Sequence, residues 1–302
     1  MSATTLSFVN NSESTDMTLF VDQLTVMDFS YLDERRGIVG ESWIVDIYLD
    51  GRLNEQGMIF DFGHVKKQIK AEIDTLFDHK LIIPKKLPSL EVTHSDHDTE
   101  ISWVNQQGQK CLHSSPKSAV VVLDTSVVTI EDAKEFLEKR LRHVLPANAT
   151  NLRLEIYSEF PDKPTDSSIT PYYHYSHGLR KHLGDCQRIA HGHRSKIEIY
   201  ENEQRAPAKE REWCKQWEDI YIGTKSDLVD TLEKNMYRFE YQAEQGRFMI
   251  QLAKTDCYLV ETESTVEQLA IHIAEVLKQR TPNSSFRVRA YEGVKKGAIA
   301  IR

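Results

Sequence analysis

Polar and apolar residues alternate along the chain in two similar series, one in each half. Alternation of this kind is typical of half-buried β-strands, whose side chains point in turn to opposite faces. The alternating stretches are 19–31 and 39–51 in the first half, and 172–179 and 191–200 in the second. The two series align with Ser30 opposite Ser176 and Tyr31 opposite His177. We therefore predict a tandem repeat.

The remainder of each half continues the repeat. Helical segments are predicted at 64–77 and 226–235, and hairpins follow at 100–113 and 238–251. A strand that leads into an amphipathic helix is predicted at 120–141 and again at 257–277. Late strands are predicted to start at Leu152 and Phe286, and one more strand lies within 294–302. Ser264 or Thr265 together with Glu267 forms a capping pattern before the last helix. Each half then reads strand, strand, helix, helix, strand, with an added hairpin. This order predicts an α+β fold, an antiparallel sheet carrying both helices on one face.

The length of 302 residues suits two domains of about 150 residues each. We predict a first domain at 17–160 and a second at 171–302. The segment 161–170 is rich in Pro, Ser, Thr and Asp and is predicted to be a linker. Residues 1–16 are polar, carry no signal-peptide pattern, and are predicted to form a flexible arm.

The composition argues against two classes of partner, nucleic acids and membranes. The net charge of −8 argues against nucleic-acid binding, and no apolar stretch is long enough for a membrane span. The four cysteines are scattered without paired spacing. This pattern favours reduced thiols, and we expect a cytoplasmic protein.

The most informative stretch is 173–199, which contains five of the twelve histidines. On a strand, His191 and His193 point to the same face, and a neighbouring strand can add His177. Three neutral histidines around one open position are the pattern of a catalytic zinc site. His174 has the opposite parity and should face away. It is predicted, with His182, to be a loop or surface residue rather than a ligand.

A cysteine lies in the loop between these two strands. Cys186 is close in sequence to three basic residues, Arg180, Lys181 and Arg188, which would favour its thiolate form. The same basic residues are candidates for contacting a phosphorylated substrate, although an ordinary solvated loop explains them equally well. The sequence thus places a metal site and a nucleophilic or basic thiol in one small volume.

These motifs resemble those of the 6-pyruvoyltetrahydropterin synthase / 6-carboxytetrahydropterin synthase family, duplicated in tandem. The second half carries the strand ending in His177, the cysteine Cys186, the HGH strand at 191–193, and a late strand that ends at Glu292. The first half carries a GMxxDF stretch at 57–62, followed by an Asp-His pair within FDHKLIIP. The resemblance implies two tunnelling-fold (T-fold) domains that assemble into a barrel.

Each half lacks what the other retains. At the positions equivalent to the zinc ligands, the first half has Tyr31, Val39 and Glu41. Ser158 is the residue equivalent to Glu292 in the repeat alignment. The second half reads MYRFEYQ where the Asp-His pair is expected. In the family, the cysteine and the Asp-His pair meet across a subunit boundary. The resemblance therefore implies a degenerate first domain that completes the site of the second.

The implied activity is that of a zinc-dependent lyase acting on 7,8-dihydroneopterin triphosphate. The roles implied by the resemblance are one zinc per chain on His177, His191 and His193, a general base at Cys186, an acid–base pair at Asp78 and His79, and a pterin anchor at Glu292. A homo-oligomer, dimer or trimer, is expected. Neither nucleic acid nor membrane is expected as a partner.

The spacing after the cysteine leaves the product open. Four residues, 187–190, separate Cys186 from His191. In the family that the chain resembles, the carboxy-forming enzymes have a three-residue spacer at this place. The pyruvoyl-forming enzymes have a five-residue spacer. We expect 6-carboxy-5,6,7,8-tetrahydropterin synthase of the queuosine/7-deazaguanine pathway. The alternatives are 6-pyruvoyltetrahydropterin synthase and a non-catalytic protein that binds pterin or zinc.

Overall fold

The computed structural model describes residues 17–53, 55, 57–160 and 171–302. The predicted arm, 1–16, and the predicted linker, 161–170, lie outside the described residues. The described part of the first half forms eight strands and two helices: β1 (Met17–Asp33), β2 (Gly37–Gly51), α1 (Phe62–Phe77), β3 (Leu81–Pro84), β4 (Glu91–His94), β5 (Asp98–Val104), β6 (Lys110–Pro116), β7 (Val120–Leu123), α2 (Ile130–Leu141) and β8 (Ala149–Ser158).

Among its described residues, the second half repeats this order with two additional strands, one after its first strand pair and one at its end. Its elements are β9 (Tyr172–His177), β10 (His191–Glu201), β11 (Gln204–Arg205), α3 (Pro207–Gln216), β12 (Ile220–Thr224), β13 (Leu228–Val229), β14 (Met236–Ala243), β15 (Gly246–Ala253), β16 (Cys257–Val260), α4 (Val266–Arg280), β17 (Phe286–Tyr291) and β18 (Gly297–Ile301). Short 3-10 turns occupy Lys117–Ala119, Arg142–Val144, Gly184–Gln187, Lys225–Asp227 and Lys254–Asp256.

The main sheet of each half is mixed, so the prediction of a purely antiparallel sheet is wrong. The strand order is β7-β3-β1-β2-β8 in the first half and β16-β12-β9-β10-β17-β18 in the second. The long pairs β1–β2 and β9–β10 are antiparallel. However, β3 pairs in parallel with β1 and β7, and β12 pairs in parallel with β9 and β16. The reason is that β3 does not pair with β2, which precedes it in the chain, but lies on the far side of β1, where its direction is parallel to β1.

Both helices of each half cover one face of its sheet, as predicted. In α1, Asp61 caps the N-terminus by accepting from the His64 N–H at 3.2 Å. Its buried residues recur every four positions and pack with those of α2 against the first sheet. In the second half, α3 and α4 pack in the same way, and Trp213 and Trp217 are fully buried in that core.

The helix predicted at 226–235 is wrong. This segment contains only a 3-10 turn, and its Leu228 and Val229 pair with β14. Leu232, within the same segment, is fully exposed. The second half instead forms α3 at Pro207–Gln216, with proline in its first turn. A short helix is only marginally stable by itself, and residues 228–229 instead form backbone hydrogen bonds with the edge of β14.

The hairpins of the two halves join into a single sheet of order β13-β14-β15-β6-β5-β4. The junction is the antiparallel pairing of β15 with β6, in which Ile250 lies opposite His113. A separate hydrophobic core beneath this sheet contains residues of both halves. The halves are therefore held together by backbone hydrogen bonds as well as by packing.

The halves also meet where their long strand pairs approach each other. The hydroxyl oxygens of Ser30 and Ser176, which are equivalent in the repeat, lie 2.7 Å apart. A Cβ on Gly40 would lie 1.9 Å from the carbonyl oxygen of Tyr175, and one on Gly192 would lie 2.6 Å from Gly40 Cα. Glycine is required at both positions because two backbones touch there. This close approach brings residues of one half into the site of the other.

Candidate metal and catalytic site

Three histidines of the second half form a compact buried cluster. In the β9–β10 pair, His177 lies directly opposite His191, and His193 lies two residues further along the same strand face. One nitrogen from each ring falls within a group whose atoms all lie within 4.8 Å of one another. All three rings are at most 1% exposed. The structure therefore brings together the three residues predicted as metal ligands.

Hydrogen bonds fix which nitrogen of two rings is free. His191 Nδ1 lies 2.8 Å from the carbonyl oxygen of Arg188, and His177 Nδ1 lies 3.1 Å from that of Ser264. Because a carbonyl only accepts, each Nδ1 carries the hydrogen and each Nε2 presents a lone pair. Burial, together with the neighbouring histidines, lowers the pKa of both rings well below the usual range. Both imidazoles are therefore neutral.

The donor set fits a zinc ion. Among the described residues, the Nε2 atoms of His177 and His193 are buried without a hydrogen-bond partner. Such orphaned lone pairs are costly in a protein interior unless something else engages them. Neutral imidazoles oriented by carbonyls are the usual environment of histidine ligands to zinc.

A carboxylate of the first half supports the third histidine. Asp28 Oδ1 lies 3.2 Å from His193 Nδ1, and Asp28 is only 3% exposed. The Ser42 hydroxyl donates to the same oxygen at 2.5 Å, and Lys296 Nζ lies 3.0 Å from Oδ2. Burial alone would raise the pKa of Asp28, but the charges of His193 and Lys296 hold it well below its usual range. Asp28 is therefore a buried anion next to the cluster.

The Asp-His pair of the first half reaches this cluster within the same chain. Asp78 Oδ2 lies 2.7 Å from His79 Nδ1, and Asp78 Oδ1 accepts from the backbone N–H of Asp28 at 2.7 Å. The His79 and His191 ring centroids are 4.9 Å apart. His79 has a φ of 54° and donates its backbone N–H to the Asp28 carbonyl at 2.7 Å. This left-handed backbone is rare for a non-glycine residue and directs the ring to the histidines.

The cysteine of the second half completes a hydrogen-bonded series. The side chain of His79 hydrogen-bonds the thiol of Cys186 as well as Asp78. Burial opposes a charge on this ring, but the bonds to Asp78 and Cys186 outweigh it and raise the pKa of His79 to about 10. Cys186 lies in the 3-10 turn Gly184–Gln187 and is half-buried. The three residues predicted to be catalytic are thus adjacent.

The basic residues of the cysteine loop are paired with carboxylates. Arg180 contacts Asp227 at 2.9 Å, Lys181 contacts Glu263 at 3.4 Å, and Arg188 contacts Asp185 at 2.8 Å. Arg188 does not fit the expectation of a solvated loop residue, since it is 6% exposed.

Arg188 instead links the loop to the other half. Its Nη1 lies 3.3 Å from the carbonyl oxygen of Asp78 and 3.5 Å from that of His79. The buried guanidinium therefore fixes the Asp-His pair relative to the cysteine loop.

Glu292 lies on the Asp28 side of the cluster. It directly follows β17, and its backbone N–H donates to the carbonyl of Lys296 at 3.0 Å. Its carboxylate is half-buried and lies 3.9 Å from Lys296 Nζ, the same ammonium that contacts Asp28. After burial, the charge of Glu292 is the next cause that raises the pKa of Tyr175, whose ring lies 5.3 Å from that of His193. Glu292 is therefore close to the cluster but outside it.

His174 and His182 are outside the metal cluster. His174 faces away from it, as strand parity predicts, and its Nδ1 lies 2.7 Å from the carbonyl oxygen of Gly40. The prediction that His174 is a loop or surface residue is wrong, because it lies on β9 and is 8% exposed. The contact between the halves is what buries it. His182 is exposed in the loop, as predicted.

Three residues contribute to the site beyond the roles that the sequence predicts for them. Thr265 caps α4, whereas Ser264, the other capping candidate, orients His177. Arg188 contributes contacts between the halves in addition to its charge. Asp28 is not predicted from the motifs, although the repeat aligns it with His174 and its parity matches that of Ser30. That parity is the signal that could have placed it at the contact between the halves.

Comparison with known proteins identifies the family. The family model "6-pyruvoyl tetrahydropterin synthase" matches residues 26–163 and again 168–301. The chain belongs to this family. It is thus a tandem member, with one family unit in each half.

Each of the individual relatives matches about half of the length of this chain. A Pyrococcus abyssi protein provisionally named 6-carboxy-5,6,7,8-tetrahydropterin synthase is 28% identical over 138 residues, which is 46% of this chain and 79% of that protein. A Pyrococcus horikoshii protein of the same name is 25% identical over 145 residues, with the same coverage. The crystal structure of Plasmodium vivax 6-pyruvoyl tetrahydropterin synthase aligns with 49% of this chain and 93% of its own, at 17% identity and a TM-score of 0.39.

No helix among the described residues is both long and apolar enough to cross a membrane.

Proposed function

We propose that this chain is a zinc-dependent lyase that converts 7,8-dihydroneopterin triphosphate into 6-carboxy-5,6,7,8-tetrahydropterin, a step of the queuosine/7-deazaguanine pathway. The observation that carries the proposal is the contact between two groups of residues. A buried cluster of three histidines in the second half adjoins a Cys–His–Asp series completed by the first half. The two Pyrococcus relatives bear the name of the carboxy-forming enzyme, which supports this choice of product.

One zinc ion per chain is proposed in the second half. His177, His191 and His193 would hold it, and when bound it would act as a Lewis acid on oxygens of the substrate side chain. Asp28 keeps His193 in place, while the carbonyls of Arg188 and Ser264 keep the other two rings in the tautomer that leaves Nε2 free.

Proton transfer is assigned to the residues shared between the halves. Cys186 takes a proton from the substrate side chain as general base, which requires its thiolate form. His79 is within hydrogen-bonding reach of that thiol and serves as the partner that returns protons. Asp78 fixes the orientation of the imidazole through its 2.7 Å contact with Nδ1. Arg188 holds the backbone of both first-half residues.

Glu292 is proposed to anchor the pterin ring. A carboxylate accepts two parallel hydrogen bonds, which matches the adjacent 2-amino and N3 hydrogens of a pterin. Its position beside the cluster supports this role.

The domain assignment is part of the proposal. Residues 17–160 would form the degenerate domain that supplies Asp78 and His79, and 171–302 the domain with the metal and the pterin anchor. T-fold sheets of several chains would close a barrel, giving a dimer or trimer. The cytoplasm is the proposed location, where the four free cysteines would stay reduced.

A second candidate is 6-pyruvoyltetrahydropterin formation, in which triphosphate is eliminated without cleavage of a carbon–carbon bond. The four-residue spacer between Cys186 and His191 favours neither branch, and the family model carries the name of the pyruvoyl enzyme. Loop length sets the position of the thiol over the substrate side chain. The product therefore distinguishes the two reactions better than the loop does.

The test is product analysis with zinc-loaded protein and 7,8-dihydroneopterin triphosphate. Acetaldehyde released together with the 6-carboxy product would support the proposal. Triphosphate release without acetaldehyde would assign the pyruvoyl reaction instead. Binding of zinc and pterin without any turnover would mean a non-catalytic family member, and the lyase proposal would be wrong.

A further inference from the structure

One buried arginine contacts three parts of the candidate site. Arg188 is 6% exposed and lies two residues after Cys186 in the same loop. Its Nη1 lies 3.3 Å from the carbonyl oxygen of Asp78 and 3.5 Å from that of His79. Its own backbone carbonyl accepts from His191 Nδ1 at 2.8 Å. The thiol loop, the acid–base pair and the histidine cluster therefore meet at Arg188.

The backbone of His79 depends on support of this kind. Its φ of 54° lies in the left-handed region, which a non-glycine residue keeps only when the surrounding structure holds it there. The Asp28 carbonyl accepts from the backbone N–H of His79 at 2.7 Å. Arg188 contacts the carbonyls of the two peptide groups that flank the His79 Cα. Because this backbone directs the imidazole, the guanidinium contributes to the position of His79 beside Cys186.

The guanidinium is held in turn by a residue of the β14–β15 hairpin. Gln245 lies in the turn between these strands, and its Oε1 accepts from Arg188 Nε at 3.2 Å. Its Nε2 donates to Asp185 Oδ1 at 2.6 Å, and Arg188 Nη2 contacts the same oxygen at 2.8 Å. Each of the three side chains thus contacts the other two. Asp185 directly precedes Cys186, so these contacts also hold the loop that carries the thiol.

These contacts use the shape of arginine as well as its charge. Three different nitrogens are engaged: Nε with Gln245, Nη2 with Asp185, and Nη1 with the two first-half carbonyls. The guanidinium is planar and presents its donors in fixed directions. Lysine carries the same charge on a single nitrogen at the end of a flexible chain, so it cannot replace this set of contacts.

We propose that Arg188, held by Asp185 and Gln245, is a positioning residue that aligns the imidazole of His79 with the thiol of Cys186. The proposal rests on the proposed lyase function, in which these two side chains transfer the protons of the substrate. The contribution of Arg188 is geometric, since misplacing a reacting group by about 1 Å can slow a reaction about 100-fold. Through Gln245, the hairpin sheet shared by the halves is connected to the proton-transfer residues.

The test compares Arg188→Lys, which keeps the charge, with Arg188→Met, which removes it. Gln245→Ala removes one support of the guanidinium without changing the thiol loop or the proton-transfer residues. Gln242→Ala is the matched control, because Gln242 is exposed in the same hairpin and donates to the Ala243 carbonyl instead. Circular dichroism would verify that each variant folds.

Two properties are measured on each zinc-loaded protein. The first is turnover of 7,8-dihydroneopterin triphosphate, resolved into kcat and KM, with zinc content determined on the same sample. The second is the rate at which iodoacetamide alkylates Cys186, with the modified peptide identified by mass spectrometry. Alkylation requires no turnover, so it reports on the thiol even if the protein is not a lyase.

We expect kcat to fall about 10–100-fold in both Arg188→Lys and Arg188→Met, while KM changes less than about twofold. Zinc content should stay at one per chain, because the carbonyl that orients His191 belongs to the backbone. Alkylation of Cys186 should slow about tenfold in both variants, since the reactive thiolate is favoured by a neighbouring imidazolium. Gln245→Ala should show smaller losses in the same direction, and Gln242→Ala none.

Wild-type kcat and wild-type alkylation in Arg188→Lys would overturn the proposal, because charge alone would then be sufficient. If the Arg188 variants do not fold, Gln245→Ala decides, and a result equal to that of Gln242→Ala would overturn the proposal. Absence of turnover in the wild type would contradict the lyase function by itself. The alkylation rates would then still decide whether Arg188 positions His79 beside the thiol.

Discussion

At the scale of single residues, Asp28 is the clearest link between the halves. It is a carboxylate buried at a contact between domains, where an unpaired charge would be strongly unfavourable. Its partners are His193, Lys296 and Ser42, and the first two belong to the other half. A carboxylate beside a histidine ligand orients the ring and increases its basicity. The first half is therefore expected to contribute to metal affinity without supplying a ligand.

Replacing Asp28 tests this contribution. Asp28→Asn keeps the shape but removes the charge next to His193, and zinc affinity should fall about 10–100-fold. Affinity is measured by competition with a chelator of known strength, without reference to turnover. Asp22→Asn, at an exposed position of β1, is the control and should leave affinity unchanged. An unaltered affinity in Asp28→Asn would show that Asp28 does not support the site.

His113 provides a pH-dependent test of the sheet that joins the halves. Burial lowers its pKa to about 3, against about 6.5 in an unfolded chain. Because only the unfolded form takes up the proton between these values, stability is retained above pH 6.5 and lost as the pH falls. Between pH 7 and pH 5 this residue should reduce the free energy of unfolding by about 2 kcal/mol.

The measurement is urea unfolding of wild type and His113→Leu at both pH values. Between pH 7 and pH 5, the free energy of unfolding should fall by about 2 kcal/mol less in the variant than in the wild type. His97→Leu, at an exposed position before β5, should behave as the wild type. Identical pH dependence in wild type and His113→Leu would mean that His113 is not neutral and buried in solution.

At the scale of elements, sequence patterns predicted most of the fold because those patterns are local. Strand alternation located β1, β2, β9 and β10, and apolar periodicity located α1, α2 and α4. The predicted hairpins correspond to β5–β6 and β14–β15. The helix at 226–235 was wrong because a short apolar pattern does not show that a neighbouring strand edge is open.

The candidate site was only partly predictable for the same physical reason. The histidines share one strand pair, so parity and spacing were sufficient to group them. Asp28 and Arg188 act across the contact between the halves, and no local pattern reports which residues meet there. The parallel pairing is not predicted for the same reason, since it depends on which earlier strand a later strand lies beside.

The glycines at the contact between the strand pairs can be tested directly. Gly40→Ala would force a Cβ to 1.9 Å from the Tyr175 carbonyl oxygen, so the strand pairs must separate. Overpacking usually lowers the free energy of unfolding by about 1–3 kcal/mol, and a backbone clash should give at least that. Thermal or denaturant unfolding measures the change.

Gly63→Ala is the matched control for Gly40→Ala. Its Cβ would meet only Asp61 Oδ1 at 3.5 Å, an ordinary contact, and alanine favours the α1 helix. No loss of stability is expected there. If Gly40→Ala were as stable as the control, the close approach of the two halves in solution would be wrong.

At the scale of the whole molecule, the end strands of the main sheets leave edges open. The outer edge of β18 has no partner among the described strands, and Ile299 and Ile301 on it are 60% and 64% exposed. Such an edge is a surface for pairing with another chain.

We expect light scattering to show a dimer or trimer at micromolar concentration. Ile299→Lys should weaken the assembly, whereas Leu232→Lys, at an exposed loop position, should not. A strict monomer would contradict this expectation.

Both parts of the proposed active site belong to one polypeptide chain. One half holds the histidine cluster and the thiol, and the other supplies the Asp-His pair 4.9 Å, ring to ring, from that cluster. Each half therefore needs only one set of functional residues, which explains how the other set could be lost from each.

The most direct test of this shared site is turnover of 7,8-dihydroneopterin triphosphate by His79→Asn, with zinc content measured on the same sample. Asparagine tolerates the left-handed backbone at this position, and His182→Asn in the exposed loop is the control. We predict that His79→Asn retains one zinc per chain while turnover falls at least about 100-fold, as expected for loss of an acid–base group. Unchanged turnover in His79→Asn would contradict the shared site.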